Sequence, residues 1–277
     1  PGGGGGGGDV AAGERASAQV FDEKYTNAYV AHMPMEPHTA TVQIEGNKAT
    51  VWASTQRPFG CRDDVARELG QGYTVRHIAP YVGGGFGGKS RNQQATEAAR
   101  LAKATGKPVQ VAWTREEEVF YDTFRPASVI TIRSGIDANG KITFWDYVVY
   151  NAGTRGAPHF YDIPHHRTRS ASGRSPLETG AWRAPGNNSN THARESQIDI
   201  MAAKAGIDPL EFRLRNLAPG HPVRRCLEEA AKQFGYTPAK GPSGRGIGIA
   251  CGTDVGTWVA HVAQVEVDRA TGRIQVK

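Results

Sequence analysis

Residues 81–90 carry five glycines, at positions 83, 84, 85, 87 and 88. A backbone so bare is a poor helix interior and a poor strand interior. It must turn sharply or lie close against something else. A strand-like segment with Val75, Ile78 and Val82 leads into it. Residues 91–104 follow without Gly or Pro and contain Ala95, Ala98, Ala99, Leu101 and Ala102, the pattern of a helix. The order is therefore strand, bare loop, helix. Glycine permits positive φ and close approach to backbone amides, and a helix start adds orphan N–H groups and a positive dipole end. The guest expected there is an anion, a phosphate or an oxo group.

Two readings of the loop compete. Gly83, Gly88, Lys89 and Ser90 fit G-x-x-x-x-G-K-[ST], the phosphate loop of nucleotide-binding proteins. That reading requires a second acidic strand end for magnesium and alternating strand–helix units. Asp137 sits in a hairpin turn and Asp199 in a helical stretch, so neither serves well. The second reading takes GGGFGGK as one string and needs the rest of the chain.

The chain has 277 residues, 38% apolar and 22% charged, with 35 Gly and 16 Pro, which describes a loop-rich globular protein. No apolar run has the length of a membrane span. The net charge of +6 is spread along the sequence. It is compatible with an anionic cofactor or an acidic partner, and no basic cluster with interleaved aromatics points to nucleic acid. Cys61, Cys226 and Cys251 are far apart, and none forms a C-x-x-C pair. Zinc ribbons and iron–sulfur spacings are thus excluded within the chain, and the cysteines assign no compartment, cytoplasmic or periplasmic.

Local signals give an α+β order with mixed sheets, β-hairpins and flanking helices. Residues 1–8 read as a flexible glycine tail. A short helix over 10–15 capped by Asp9 and a strand over 18–25 follow. Strands over 39–44 and 48–53 form a hairpin around Glu45-Gly46-Asn47. Pro58 opens a helix ending at Gly70. A strand over 74–78, the glycine loop, a helix over 91–105 and a strand over 109–113 come next. Thr114 caps a helix over 115–121. Strands over 128–134 and 141–150 form a second hairpin. Residues 151–190 look irregular, and a loop of that length is usually functional. Helices follow over 191–205, from Asp208-Pro209 onward, and over 226–234. Residues 240–246 read as a linker and domain boundary. Residues 248–267 read as one long strand, followed by a turn at Thr271-Gly272 and a partner strand over 273–276. The pattern stops inside that strand, which leads to the expectation of a fragment or one half of a split subunit.

Several segments share one resemblance, in one order. They are Tyr29-Val30-Ala31-His32-Met33-Pro34-Met35-Glu36-Pro37, the strand end Ser54-Thr55-Gln56-Arg57-Pro58, GGGFGGK and Tyr161-Asp162-Ile163-Pro164. Thr179-Gly180-Ala181-Trp182-Arg183-Ala184-Pro185-Gly186, Glu195-Ser196-Gln197-Ile198-Asp199 and the stretch 206–217 complete the set. Each is weak alone, but as an ordered set over residues 9–277 they resemble the molybdenum hydroxylases, the xanthine oxidase and aldehyde oxidase family. The resemblance implies a molybdenum-cofactor-binding subunit, with residues 9–240 as its first cofactor-binding domain and 241–277 as the opening of a second.

Cofactor and site follow from the same resemblance. It implies a molybdopterin, in the cytosine dinucleotide form, that carries molybdenum. Two 2Fe-2S clusters and FAD are expected on other subunits, and the remaining half of the molybdenum subunit is an expected partner. Gln56 matches the glutamine that hydrogen-bonds an oxo ligand, and Arg183 the arginine beside the metal; these are the expected catalytic positions. The cofactor is expected against Gln56, Gly84, Gly85, Phe86, Gly87, Gly88, Arg183 and Ala184. Of these, Gln56, Phe86 and Arg183 stand around the molybdenum without binding it directly. Ser90, Pro185 and Arg155 are expected at the substrate pocket. Purine-oxidising members carry a glutamate where this chain has Ser90, and carbon-monoxide-oxidising members a cysteine before the arginine, which is absent between Cys61 and Cys226. Aldehydes or N-heteroaromatics are the expected substrates, with water as oxygen source; a molybdopterin carrier or assembly module without the base is the alternative. The family's general-base glutamate is expected beyond Lys277, and Glu36 and Glu195 are read as structural.

Overall fold

A computed structural model describes residues 5–237 and 245–277 of the chain. They form two compact units interleaved in sequence. One comprises Ala28–Ala127 and Arg174–Pro185; the other comprises the described parts of Pro1–Asn27, Ser128–Gly173 and Gly186–Lys277. The expected boundary at 240–246 lies mostly outside the described residues. The stretch expected as one domain over 9–240 divides between the two units.

The glycine loop belongs to the first unit. Alternation in Thr39–Glu45 and Lys48–Ala53 sends Ala40, Val42, Ala49, Val51 and Ala53 to one buried face. The two strands pair antiparallel, with Val42 opposite Val51. Val109–Ala112 adds antiparallel to Thr39–Glu45, and Thr74–Ile78 adds parallel to Lys48–Ala53. The helices Pro58–Leu69 and Gln93–Thr105 cover the buried face with Cys61, Val65, Leu69, Ala95, Ala98, Ala99 and Ala102. Small side chains let these helices lie close to the sheet. Pro58–Leu69 is the crossover of a parallel strand–helix–strand unit, so the segments 54–57 and 79–92 leave the sheet at the same end. The carboxyl ends of parallel strands are where open sheets of this kind place ligands.

In the second unit the strand order is Gly5–Gly7, His165–Ala171, Ile142–Tyr150, Ser128–Ile136, Gln19–Asn27. The helix Asn187–Ala205 packs Ala193, Ile198, Met201 and Ala202 into the core shared with Ile130, Ile132, Trp145 and Tyr147. Pro209–Arg215 follows, capped as expected by Asp208, which accepts from the amides of Leu210 and Glu211. Pro222–Phe234 packs with a three-stranded sheet of Arg245–Asp254, Thr257–Val267 and Ile274–Val276.

Four expectations need correction. The tail is not wholly flexible: Gly5–Gly7 forms an edge strand against His165–Ala171, where a Cβ on Gly7 would sit 3.1 Å from the His166 ring. The stretch 151–190 is not all irregular, because His165–Ala171 pairs parallel with Ile142–Tyr150 and the next helix begins at Asn187. The long strand over 248–267 is two strands, which turn at Val255 and Gly256 with φ of 49° and 78°. The helix after the glycine loop starts at Gln93, after a 3₁₀ turn over Gly88–Ser90.

Candidate functional site

One peptide group organises the site. The N–H of Gly87 donates to Gln56 Oε1 at 2.8 Å, and the carbonyl of Phe86 accepts from the N–H of Arg183 at 2.7 Å. These are the two ends of the same peptide, and in a trans peptide they point in opposite directions. Gln56 and Arg183, distant in sequence, are thus anchored to opposite edges of one peptide. The Gln56 backbone N–H donates to the Lys89 carbonyl at 2.8 Å, fixing the strand end to the far side of the loop.

That geometry settles the orientation of the Gln56 amide. The Gly87 N–H must meet an acceptor, so Oε1 faces the loop and both N–H bonds of Nε2 are left for a guest. Gln56 is exposed, and so is Arg183, whose guanidinium makes no ion pair among the described residues. Phe86 has φ of 53° and Ala184 has φ of 56°, in the left-handed region that L-residues rarely adopt. Strain of this kind, held on both sides of one contact, is characteristic of functional sites. Phe86 is 43% exposed, so its ring is not core packing. Neutral donors and an unpaired cation suit a group with oxo oxygens and negative charge. Among the described residues, no three His, Cys, Asp or Glu side chains are grouped to hold a metal. A metal here would arrive on its own organic ligand, as it does in a molybdopterin.

Beneath the loop lie three acid–base pairs; those of His32 and His38 are buried, and that of Glu36 is partly exposed on the carboxylate side. Glu36 Oε2 accepts from Lys89 Nζ at 2.7 Å, from the Gly83 amide at 2.7 Å and from Ser54 Oγ at 2.8 Å. Burial acts to raise the Glu36 carboxyl, but Lys89, Gly83 and Ser54 outweigh it and hold it below the usual carboxylate range. His38 Nδ1 meets Glu118 Oε1 at 2.9 Å. His32 Nδ1 meets Asp122 Oδ2 at 2.8 Å, and its Nε2 meets the Ala181 carbonyl at 2.7 Å. Burial works against protonation of His32, yet Asp122 and Ala181 carry its pKa above the ordinary value. His32, Glu36 and His38 come from one segment. Glu118 lies on the short helix Arg115–Tyr121, where the expected cap Thr114 forms a capping box with Glu117, and Asp122 directly follows that helix.

Lys89 decides against the phosphate-loop reading. Its side chain is 0% exposed, and Nζ is spent on the Glu36 carboxylate and carbonyl. The start of Gln93–Thr105 is also closed to an anion: Asn92 is buried and bonded to Thr55 and Asp64. Lys89→Met should therefore leave ATP affinity unchanged and destabilise the protein by about 2–4 kcal/mol, because it strips a partly buried carboxylate of its cation. Thermal unfolding and nucleotide titration check the two halves of that expectation.

The remaining candidate residues fall into two groups. Gly84, Gly85, Phe86, Gly87, Gly88 and Ser90 lie in the glycine loop, and Arg183, Ala184 and Pro185 in the segment Arg174–Pro185, all in the first unit. Ser90 accepts from Arg57 through its backbone oxygen. Arg155 belongs to the second unit, where both arms of its guanidinium bind Asp254 at 2.8 Å. Glu195 is a structural clamp, as expected, buried between Arg194, Arg213 and Tyr161. The reading of the sequence missed the pairs of His32 and His38. The even spacing of positions 32, 36 and 38 was their only local signal.

The chain is 36% identical to the aldehyde oxidoreductase molybdenum-binding subunit PaoC of Escherichia coli O157:H7 over 269 aligned positions, covering 86% of this chain and 37% of that one. It is 27% identical to a subunit of nicotinate dehydrogenase from Pseudomonas putida, covering 97% of this chain and 26% of the relative. Its fold is similar to that of quinoline 2-oxidoreductase from Pseudomonas putida 86, with a TM-score of 0.75 at 20% identity over 97% of this chain and 41% of that one. The chain thus spans well under half the length of these relatives. Residues 5–217, which contain the strained peptide, the glutamine beneath it and the arginine above it, match the molybdopterin cofactor-binding domain, and the chain belongs to that family.

Proposed function

We propose that this chain is the molybdenum-cofactor-binding part of an oxidoreductase that oxidises aldehydes or hydroxylates N-heteroaromatic rings, with water as oxygen source. The observation that carries this is the Phe86–Gly87 peptide, which turns the Gln56 amide and the Arg183 backbone toward one bare loop. When bound, the cofactor supplies the two-electron acceptor and activates the water oxygen. The chain's own residues do the rest. Gln56 donates from Nε2 to an oxo group without adding charge. Arg183 holds a fixed cation against oxyanion character that grows in the transition state. Gly84, Gly85 and Gly88 keep the loop bare against the cofactor, and Ala184 and Pro185 carry the wall onward to the substrate. Ser90 supplies no carboxylate to grip a purine, which favours aldehydes and simple heteroaromatics over xanthine.

The same proposal takes in the cytosine dinucleotide form of the cofactor, iron–sulfur clusters and FAD on other subunits, and a further part of the molybdenum subunit. It also assigns 9–240 and 241–277 to two cofactor-binding domains. The relatives support the substrate range, since one is named for aldehydes and another for nicotinate.

The protein purified gently with its neighbouring subunits should contain molybdenum and release a pterin on denaturation. It should reduce a dye with an aromatic aldehyde or with nicotinate, and not with xanthine. Absence of molybdenum from that complex, with ATP bound instead, would overturn the reading. Arg183→Ala should lower kcat by about 10²-fold, the loss seen when one oxyanion donor is removed. Because the side chain is exposed and unpaired, its melting temperature and molybdenum content should stay at the parent values.

A further inference from the structure

We infer that His32 is the positioning residue for the arginine loop: its ring donates from both nitrogens, tying the Ala181 carbonyl to the Asp122 carboxylate and fixing where Arg183 is presented. The inference rests on the proposed function for its catalytic consequence, though not for its structural one.

The argument starts from hydrogen-bond inventory. Asp122 Oδ2 lies 2.8 Å from Nδ1 and the Ala181 carbonyl 2.7 Å from Nε2. Neither oxygen carries a proton to give, since one is a carbonyl and the other belongs to a carboxylate that already accepts from the Thr123 amide at 2.7 Å. A neutral imidazole has one N–H and can satisfy only one of them. Both contacts are made together by the doubly protonated ring. The ring is wholly buried, so no water stands in for a missing partner.

The Arg183 side chain makes no hydrogen bond or ion pair among the described residues, so where it is presented follows from the backbone that carries it. The loop is fixed through three consecutive residues. Ala181 is held by His32; Trp182 donates from its indole to the Ala31 carbonyl at 3.4 Å; Arg183 donates its N–H to Phe86. The Trp182 ring also carries the Arg125 guanidinium 5.2 Å from its centroid. Of the three hydrogen bonds, the one from His32 is charge-assisted and given by a wholly buried ring, which makes it the strongest. The latch lies directly under the loop: a Cβ on Gly88 would fall 2.4 Å from Asp122 Oδ2 and 2.9 Å from His32 Nδ1. His32 therefore couples the arginine segment to the same glycines that meet the cofactor.

The test uses trypsin, because the Arg183–Ala184 bond is a natural cleavage site in an exposed segment. The complex is purified with His32→Gln, which keeps one donor and loses the second, and separately with Asp122→Asn, which keeps the shape and loses the charge. In both, cleavage after Arg183 should accelerate about tenfold or more, as expected when one buried charged hydrogen bond is lost. Other cleavages should keep their rates. With a heteroaromatic or aldehyde substrate, kcat should fall about tenfold while KM and molybdenum content hold. An unchanged rate after Arg183, or equal acceleration at every bond, would overturn the inference. Selective cleavage in a protein that never oxidises these substrates would leave the latch standing and remove the proposed function instead. If His32→Gln does not fold, Asp122→Asn carries the test.

Discussion

Gly87→Ala should yield a protein that retains little or no cofactor and melts at a clearly lower temperature. Gly87 has φ of +118°, where an L side chain is strained whatever space surrounds it. Space is also lacking: a Cβ there would lie 2.0 Å from the Ala181 carbonyl oxygen and 3.1 Å from His32 Nε2. The first of those is backbone and cannot swing aside. Relief requires turning the 86–87 peptide or pushing out the arginine segment, and either movement breaks the contact to Gln56 or the one to Arg183. The strain alone is about 1–3 kcal/mol, and the lost hydrogen bonds add about 1 kcal/mol each. Molybdenum analysis and thermal unfolding on the same sample check both parts. Gly85→Ala offers a graded comparison, since its Cβ would meet Gln56 Oε1 at 2.5 Å, the end of a side chain that can rotate. It should cost only the Gly87–Gln56 hydrogen bond, about 1 kcal/mol, and lose activity. Equal behaviour of the two variants would show that the loop tolerates a side chain by moving as a whole, and that the 86–87 peptide is not a fixed anchor.

The contrast between those glycines shows what the sequence made legible. Residue types were readable, because a run of glycines followed by Lys-Ser and Ala-rich periodicity restricts the backbone at short range. The caps at Asp208 and Thr114 and the hairpins at 45–47 and 137–140 were readable for the same reason: their partners lie within a few positions. The plane of the 86–87 peptide was not, since its two hydrogen bonds go to Gln56 and Arg183, and no local rule relates those positions. Lys89 was the most misleading residue. Its place in G-x-x-x-x-G-K-S fits a phosphate-binding lysine, and only the tertiary approach of Glu36 buries its side chain in an ion pair. His165–Ala171 was missed because it has no apolar alternation. Its strand character comes from Ile142–Tyr150 beside it and from Arg167 and Arg169 meeting Asp146 across the pair.

Glu195→Ala should cost about 3–5 kcal/mol, the range for removing one member of a buried ion network. The carboxylate accepts from Arg213 Nε at 2.9 Å, from Arg194 Nε at 3.3 Å, from the Tyr161 hydroxyl at 3.0 Å and from the Cys251 amide at 3.1 Å. Those donors come from the helices Pro209–Arg215 and Asn187–Ala205, the segment before His165–Ala171 and the strand Arg245–Asp254. Truncation would leave two buried guanidiniums and a buried hydroxyl without their shared acceptor. Arg213 retains Asp199 at 2.7 Å, and Arg194 retains the Gly156 carbonyl at 2.6 Å, which keeps the expected loss from being larger. Burial alone would raise the Glu195 carboxyl, but Arg213 and Arg194 dominate and hold it below the ordinary value. A carboxyl depressed in the folded state contributes stability that is fully present above its unfolded pKa, about 4.3, and is lost as pH falls through the folded value. The parent protein should therefore lose stability steeply below about pH 4. Glu195→Gln separates charge from shape. Its carbonyl can still accept from Arg213 or Tyr161, so at pH 7 it should cost about 1–3 kcal/mol, less than alanine. Its unfolding should also lose part of the acid dependence, because the amide does not titrate. Chemical denaturation of parent and variant from about pH 2 to pH 7 reads this directly. Curves that stay parallel across that range would mean that the clamp is not what acid releases.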